Sequence, residues 1–272
     1  MPLTRRHKIC ILLIVKDEHF YLEEFICYYL AIGVDHFYIY DNESLIPVSQ
    51  TLKQYLKYCT IINFPGRGRQ LEAYNHFIRH YRNETKWIAP IDVDEFIVFK
   101  QHATIKDFLK KYSDIDCIAI NWKCFGDSFF DKRPGGLVMD NFILCEDIQN
   151  PHIKNIVKTF AWLYCENVHY LGLRPVSIYS DVKGNTIESP FNENYTTDVV
   201  QINHYVTKSK EECYLKYEKG RASVDEKFNL TEEVFESWRN SMNLAKDGFL
   251  RDKFSEKVKS MMKKHQEKWL VF

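Results

Sequence analysis

The 272-residue sequence offers no excess of either charge: 37 basic residues stand against 37 acidic ones. That balance removes the global electrostatic case for nucleic acid and leaves anion binding to local clusters. Clustered cysteines are missing as well. The eight cysteines are scattered, with no CxxC pair or short regular spacing, which disfavours a zinc site or a disulfide scaffold and reads as reduced thiols in a core. The apolar run from Ile9 is broken by Lys16 and Asp17 well before the roughly 20 residues of a membrane span, and it is also too short for a signal core. No transmembrane segment and a cytoplasmic location are expected, with peripheral membrane contact left to the basic C-terminal tail. A GxxxxGK loop is absent, so Pro65-Gly-Arg-Gly-Arg69 reads as a flexible turn with an arginine. Internal repeats and low-complexity segments are also lacking.

What is present suits a globular enzyme. Hydrophobic residues make up 45% and charged residues 27%, enough to build a sizeable core. The length fits one α/β domain with a helical tail, given that such domains often reach roughly 200–250 residues. Ile9 to Val15 is a continuous aliphatic run, as expected of a strand buried on both faces. Tyr21, Leu22, Phe25, Ile26, Tyr29 and Leu30 then recur at helical spacing, Gly33 stops the helix, and Asp35 to Tyr40 resumes as a strand. The alternation continues with a helix at 48–58, a strand at 60–64, a helix at 70–81 and a strand at 87–91. It predicts a mostly parallel sheet flanked by helices, with ligands at the carboxyl ends of its strands. Ser209 with Glu212 forms a capping box for a helix running to Lys219, and Thr231 caps another.

The residues that follow the strands carry the chemistry. Asp92-Val-Asp94-Glu95 lies between apolar runs, placing three carboxylates where a strand leaves the core. Such carboxylates repel one another unless a cation is present, and a hard divalent ion bridging to a diphosphate would relieve the repulsion. A solvated acidic turn would carry the same letters. His204 closes another apolar stretch ahead of Lys208-Ser-Lys210, where an imidazole could complete a metal shell or simply be structural. Lys154, Lys158, Lys219 and Arg221 offer cations for a diphosphate.

At these residues the chain becomes recognisable. Val15-Lys-Asp-Glu18, Gly33 to Ser44, Trp87 to Phe96, Lys154-Asn-Ile-Val157 and Asn203 to Ser209, in that order, resemble glycosyltransferase family 92 and its relatives in the family-2-like group. The resemblance runs from about Lys8 to Arg221. It implies a GT-A fold: a Rossmann-like mixed central sheet, mostly parallel, flanked by helices, over residues 1–222. The nucleotide-sugar half would be 1–115 and the acceptor half 116–222, followed by a C-terminal helical extension at 223–272. It further implies Glu18 and Asp41 near the nucleobase, Asp92 near ribose and metal, Asp94 and His204 as ligands of Mn²⁺ or Mg²⁺, and Lys154 facing the diphosphate. Lys16, Gln70, Lys208 and Arg221 complete the set expected to bind the donor, a UDP-linked sugar. Two departures from the family pattern matter: Phe125-Gly-Asp-Ser-Phe-Phe130 replaces the small-residue and histidine run, which touches the acceptor side and the base, and Asp17 stands where asparagine is common before Glu18.

For an inverting transfer a carboxylate deprotonates the acceptor hydroxyl of a glycan. Asp127, Asp131 and Glu146 are candidates in the acceptor half. Asp127 is favoured because it follows Trp122 to Gly126 at a strand end; Glu146 is its rival. Trp122 or Phe125 could stack on a sugar or pack in the core. Two other readings stay open: a nucleotidyltransferase releasing pyrophosphate, against which the weak glycine loop counts, and a non-catalytic glycan-binding relative, against which the intact Asp92, Asp94 and His204 count.

Overall fold

The computed structural model describes residues 5–148, 150–219 and 229–267. The opening apolar run forms β1 (His7–Val15), and its alternate side chains serve two separate cores. Ile9, Ile11, Leu13 and Val15 belong to one; Cys10, Leu12 and Ile14 belong to the other. Side chains on a strand alternate between faces, so a run apolar at every position must be covered on both.

There follow α1 (Leu22–Ala31), β2 (His36–Asp41), α2 (Val48–Thr51), β3 (Cys59–Asn63), α3 (Gln70–His80) and β4 (Thr85–Pro90). β1 lies between β2 and β4, and β3 lies beyond β2, all four parallel. Leu22, Phe25, Ile26 and Tyr29 put α1's buried stripe against one face. Gly33, at φ +98°, ends that helix in a conformation a Cβ would oppose. The helix expected over 48–58 is divided: α2 stops at Thr51, and a separate 3₁₀ turn covers Leu56–Tyr58. Between them Tyr55 is buried, with its hydroxyl on Glu23 Oε1 at 2.8 Å and 3.3 Å from Cys27 Sγ. This tertiary anchoring overrides the local helical pattern.

The second half comprises β5 (Glu95–Phe99), α4 (Ile105–Lys111), β6 (Cys117–Cys124), α5 (Val138–Asn141), β7 (Leu144–Cys145) and β8 (Ile153–Lys158). The hairpin of β9 (Trp162–Tyr164) and β10 (Gly172–Leu173), then β11 (Tyr179–Ser180) and β12 (Val200–His204), complete the strands up to α6 (Lys210–Lys219). α7 (Glu232–Met242), β13 (Ala245–Lys246) and α8 (Phe249–Glu267) close the described chain. The sheet runs β3-β2-β1-β4-β8-β6-β12-β5. β8 is antiparallel to β4 and β6, and β5 is antiparallel to β12; the other pairings in this order are parallel.

β6 is the strand that positions the site. Its first residues pair with β8, whereas Trp122 to Cys124 pair with β12. The chain from β4 must therefore pass the amino end of β8 and the carboxyl ends of β6 and β12 to reach β5 at the edge, and residues 91–94 make that crossing. Leu250, Phe254 and Val258 of α8 share the core of α1 and the sheet. Both expected helix starts are capped: Ser209 and Glu212 bond reciprocally, and Val234 N donates to Thr231 Oγ1. All eight cysteines are free thiols, seven of them buried. Among the described residues no helix is long and apolar enough to cross a membrane.

Candidate active site

Asp92 and Asp94 leave the crossing segment with different surroundings. Asp92 is fixed from behind: Lys154 Nζ lies 2.7 Å from Oδ2, and Gln70 Nε2 donates to Oδ1 at 2.8 Å. Lys154 is fully buried and also lies 3.5 Å from Glu95 Oε2, while Glu95 accepts from Asp92 N–H at 3.0 Å. Burial penalises the ammonium, but Asp92 and Glu95 more than compensate and hold Lys154 well above the ordinary lysine range. Burial raises the Glu95 carboxyl, and its Oε1 has no hydrogen-bond partner. Lys154 thus does not face the diphosphate as the resemblance implies. Its ammonium is enclosed by Asp92 and Glu95 and can act on a ligand only through them. Gln70, 5% exposed, is likewise a support for Asp92.

Asp94 faces the other way. Its Oδ2 lies 2.6 Å from Lys216 Nζ and 3.7 Å from His204 Nε2. Its backbone carbonyl accepts from Tyr205 N–H at 2.8 Å, which locks the turn to the end of β12. Burial pushes the Asp94 carboxyl up, but Lys216 and then His204 overcome it, so Asp94 sits well below the usual carboxylate range and is ionised. Burial lowers His204 despite Asp94, which keeps the imidazole neutral. An ionised carboxylate beside a neutral imidazole is a donor set that fits a divalent cation such as Mn²⁺ or Mg²⁺. Among the described residues no trio of His, Cys, Asp and Glu converges to hold a metal unaided. The remaining coordination would have to come from a phosphate-bearing ligand and water. Asp92 accepts from Gln70 on one oxygen and from Lys154 on the other, and Asp94 Oδ2 meets Lys216, so Asp94 Oδ1, the His204 ring and the remaining lone pairs of Asp92 are what could hold an ion.

The rim is built from loops after β1, β2 and β12. Glu18 and Lys208, 190 residues apart, meet at 3.5 Å, with Lys208 Nζ 3.7 Å above the Tyr21 ring. Asp17, Glu43 and Lys208 all adopt positive φ without being glycine, a strain that concentrates at functional loops. Asp41 accepts from Ser44 and Val48 N–H, so its carboxylate shapes its own loop. Lys16 is exposed on the β1 loop. Arg221 lies outside the described residues.

On the acceptor side the favoured base finds another occupation. Asp127 is fully buried, with Oδ2 on Arg239 Nε at 2.7 Å and Oδ1 on Asn243 Nδ2 at 2.9 Å. A carboxylate clamped on both oxygens inside the fold cannot take a proton from an incoming hydroxyl, and the expectation for Asp127 is corrected accordingly. Glu146 is placed better. Its Oε1 accepts from Cys124 N–H at 2.8 Å, beside His204 in the β6–β12 register. Burial raises its carboxyl, the direction that suits a base.

Sequence reasoning missed three neighbours of this region. Lys216 was legible only as part of a helix, although Cys213 and Tyr217 mark the buried side of α6 and Lys216 lies between them. His152 and His169 carry no sequence signal. In space they ring Trp122, with His152 stacked at 5.1 Å and His169 edge-on at 4.8 Å, while His204 sits at 4.2 Å. Trp122 is therefore enclosed by imidazoles rather than open for sugar stacking on its faces.

His204→Ala is expected to weaken Mn²⁺ affinity by about tenfold or more, since a ligand is removed, and to weaken it more than it weakens thermal stability. Melting temperatures with and without Mn²⁺ check this. A mutant that is destabilised in the absence of metal yet keeps its full response to Mn²⁺ would make His204 structural.

The sequence profile of glycosyltransferase family 92 matches residues 5–264. A family 92 protein of Oryza sativa subsp. japonica is 30% identical over 174 residues, covering 57% of this chain and 30% of the relative. One of Ricinus communis is 22% identical over 248 residues, covering 88% of this chain and 41% of the relative. The chain thus spans less than half the length of these relatives. Among solved structures, residues 1–349 of S. aureus TarS in complex with UDP align at TM-score 0.39 and 14% identity, over 56% of this chain and 47% of that one. On the match across nearly its whole length, the chain belongs to glycosyltransferase family 92.

Proposed function

We propose that this chain transfers a sugar from a nucleotide-sugar donor, a UDP-sugar, to a hydroxyl of a glycan acceptor, with inversion and with the help of Mn²⁺ or Mg²⁺. The observation that carries the reading is the facing pair Asp94 and His204 at the carboxyl end of the sheet, with Asp92 held beside it by Lys154 and Gln70. In this reading residues 1–115 form the donor half, 116–222 the acceptor half, and 223–272 a helical extension.

A divalent ion held by Asp94 and His204 would neutralise charge on the departing nucleoside diphosphate. Lys216 and Lys208 supply further positive charge on the same side of the site. Asp92, whose side chain is 33% exposed, is oriented for the ribose by the two residues behind it. Glu146 takes the proton from the acceptor hydroxyl, and no covalent enzyme intermediate is needed.

The test is a panel of UDP- and GDP-sugars incubated with the purified chain and Mn²⁺, with donor hydrolysis as the readout. At least one UDP-sugar should be hydrolysed, and EDTA should suppress the reaction. Release of pyrophosphate from nucleoside triphosphates, with every sugar donor inert, would instead establish a nucleotidyltransferase.

A further inference from the structure

The end of the sheet opposite the candidate site carries a concentration of positive charge that the transfer reaction does not use. Arg5, Arg6 and Lys8 at the start of β1 line one groove with Lys86, at the start of β4, and Lys106 on α4. Arg5 donates to the Lys86 carbonyl at 3.4 Å, and the same carbonyl accepts from Thr159 N–H just past β8. The charge continues from there. Arg82 and Arg174 both donate to the Phe160 carbonyl, at 3.3 and 2.6 Å. Burial lowers the Arg82 pKa, and the charges of Arg174 and Arg5 lower it further, as expected of crowded cations.

Two carboxylates at this end are neutralised by cations, whereas Glu84 and the exposed Asp114 keep their charge against a larger number of basic groups. Asp35 is bonded to Lys106 and to the N–H groups of Lys8 and Ile9, Asp116 lies 2.9 Å from Lys158, and Glu84 accepts from the Tyr38 hydroxyl. Among the described residues, Arg5, Arg6, Lys8, Arg82, Lys86 and Arg174 have no such carboxylate partner. A chain with zero net charge therefore presents one strongly basic face.

Apolar side chains stand among these cations. Phe160 is 45% exposed, Ile178 51%, and Val176, at the tip of the turn after Arg174, 102%. Val176 also has φ +61°. A β-branched residue in the left-handed region is an outlier, and full exposure gives it no packing in return. Apolar tips bracketed by guanidinium and ammonium groups match the boundary between anionic headgroups and acyl chains. A groove for nucleic acid would have no use for the protruding valine.

We propose that this face docks the protein on an anionic membrane surface, with Val176, Phe160 and Ile178 entering the interface and the surrounding cations held by headgroup charge. The candidate active site, at the other end of the strands, then points away from the bilayer into solvent. This holds whether or not the transfer reaction is as proposed.

Co-sedimentation of the full chain with phosphatidylcholine vesicles, with and without about one-third phosphatidylserine, tests it. Binding is expected only to the anionic vesicles, and to fall about tenfold or more when salt rises from about 0.1 M to about 0.5 M. The double variant Arg6→Glu/Lys86→Glu, at two exposed positions, should lose about tenfold in vesicle binding. Val176→Asp, which suits the left-handed backbone, should weaken binding severalfold without lowering the melting temperature. Failure to bind anionic vesicles, binding indifferent to both variants, or binding to heparin or duplex RNA but not to vesicles would each overturn the proposal.

Discussion

Asp94→Asn is expected to lower the affinity for a UDP-sugar with Mn²⁺ by about a hundredfold or more, the loss of a charge-assisted ligand beside a diphosphate. The reason lies in what meets at one oxygen. Asp94 Oδ2 faces both Lys216 Nζ at 2.6 Å and His204 Nε2 at 3.7 Å. An amide oxygen accepts from Lys216 but carries no charge with which to hold a divalent ion. The fold should survive the change, because the turn is fixed by the Asp94 carbonyl on Tyr205 N–H and by Asp92 N–H on Glu95. Some stability will be lost, since breaking a buried pair costs about 3–5 kcal/mol. The Lys216 side chain is 39% exposed, so water can reach its ammonium and reduce that cost. Calorimetric titration of donor with Mn²⁺ into wild type and mutant decides the matter. Equal affinities would remove Asp94 from the metal shell.

Much of the fold was legible because its signals are local. β1 reads as a doubly covered strand from its unbroken apolar run, and α1 ends at Gly33 because a left-handed residue is needed there. The two capping boundaries at Ser209 and Thr231 follow from single side chains bonding nearby N–H groups. The division of the 48–58 helix could not be read, because the competing contacts of Tyr55 come from α1, more than 25 residues away. The candidate site residues were singled out by the same local logic. Asp92, Asp94 and His204 follow strands, where ligands gather, and the resemblance named them.

What the sequence could not reveal is how differently two similar carboxylates are surrounded. Asp92 and Asp94 are two residues apart, yet one is backed by Lys154 and Gln70 and the other meets Lys216 and His204. Lys154 illustrates the same limit. A lysine beside apolar residues suggests a free cation, but β8 lies in the middle of the sheet, so the side chain is wholly buried and finds two carboxylates inside. The ring of His152 and His169 around Trp122 depends entirely on long-range pairing, which no spacing records.

The same distinction between reach and burial separates the two candidate bases. Glu146→Gln is expected to reduce kcat by about two orders of magnitude or more, the scale of a general-base contribution, with donor affinity nearly intact. Glutamine keeps the oxygen that accepts from Cys124 N–H, so the local structure should hold. Because burial raises the Glu146 carboxyl, the wild-type rate should climb with pH until that group is ionised, and the limb should lie above the range of an exposed glutamate. Asp127→Asn should behave oppositely. Its carboxylate is buried against Arg239 and Asn243, so losing the charge should cost about 3–5 kcal/mol of stability and lower the melting temperature, with kcat of the folded fraction close to normal. Steady-state kinetics and thermal melts on both variants separate the two roles. A near-normal kcat in Glu146→Gln would remove it as the base, and a crippled Asp127→Asn that melts like wild type would put Asp127 in its place.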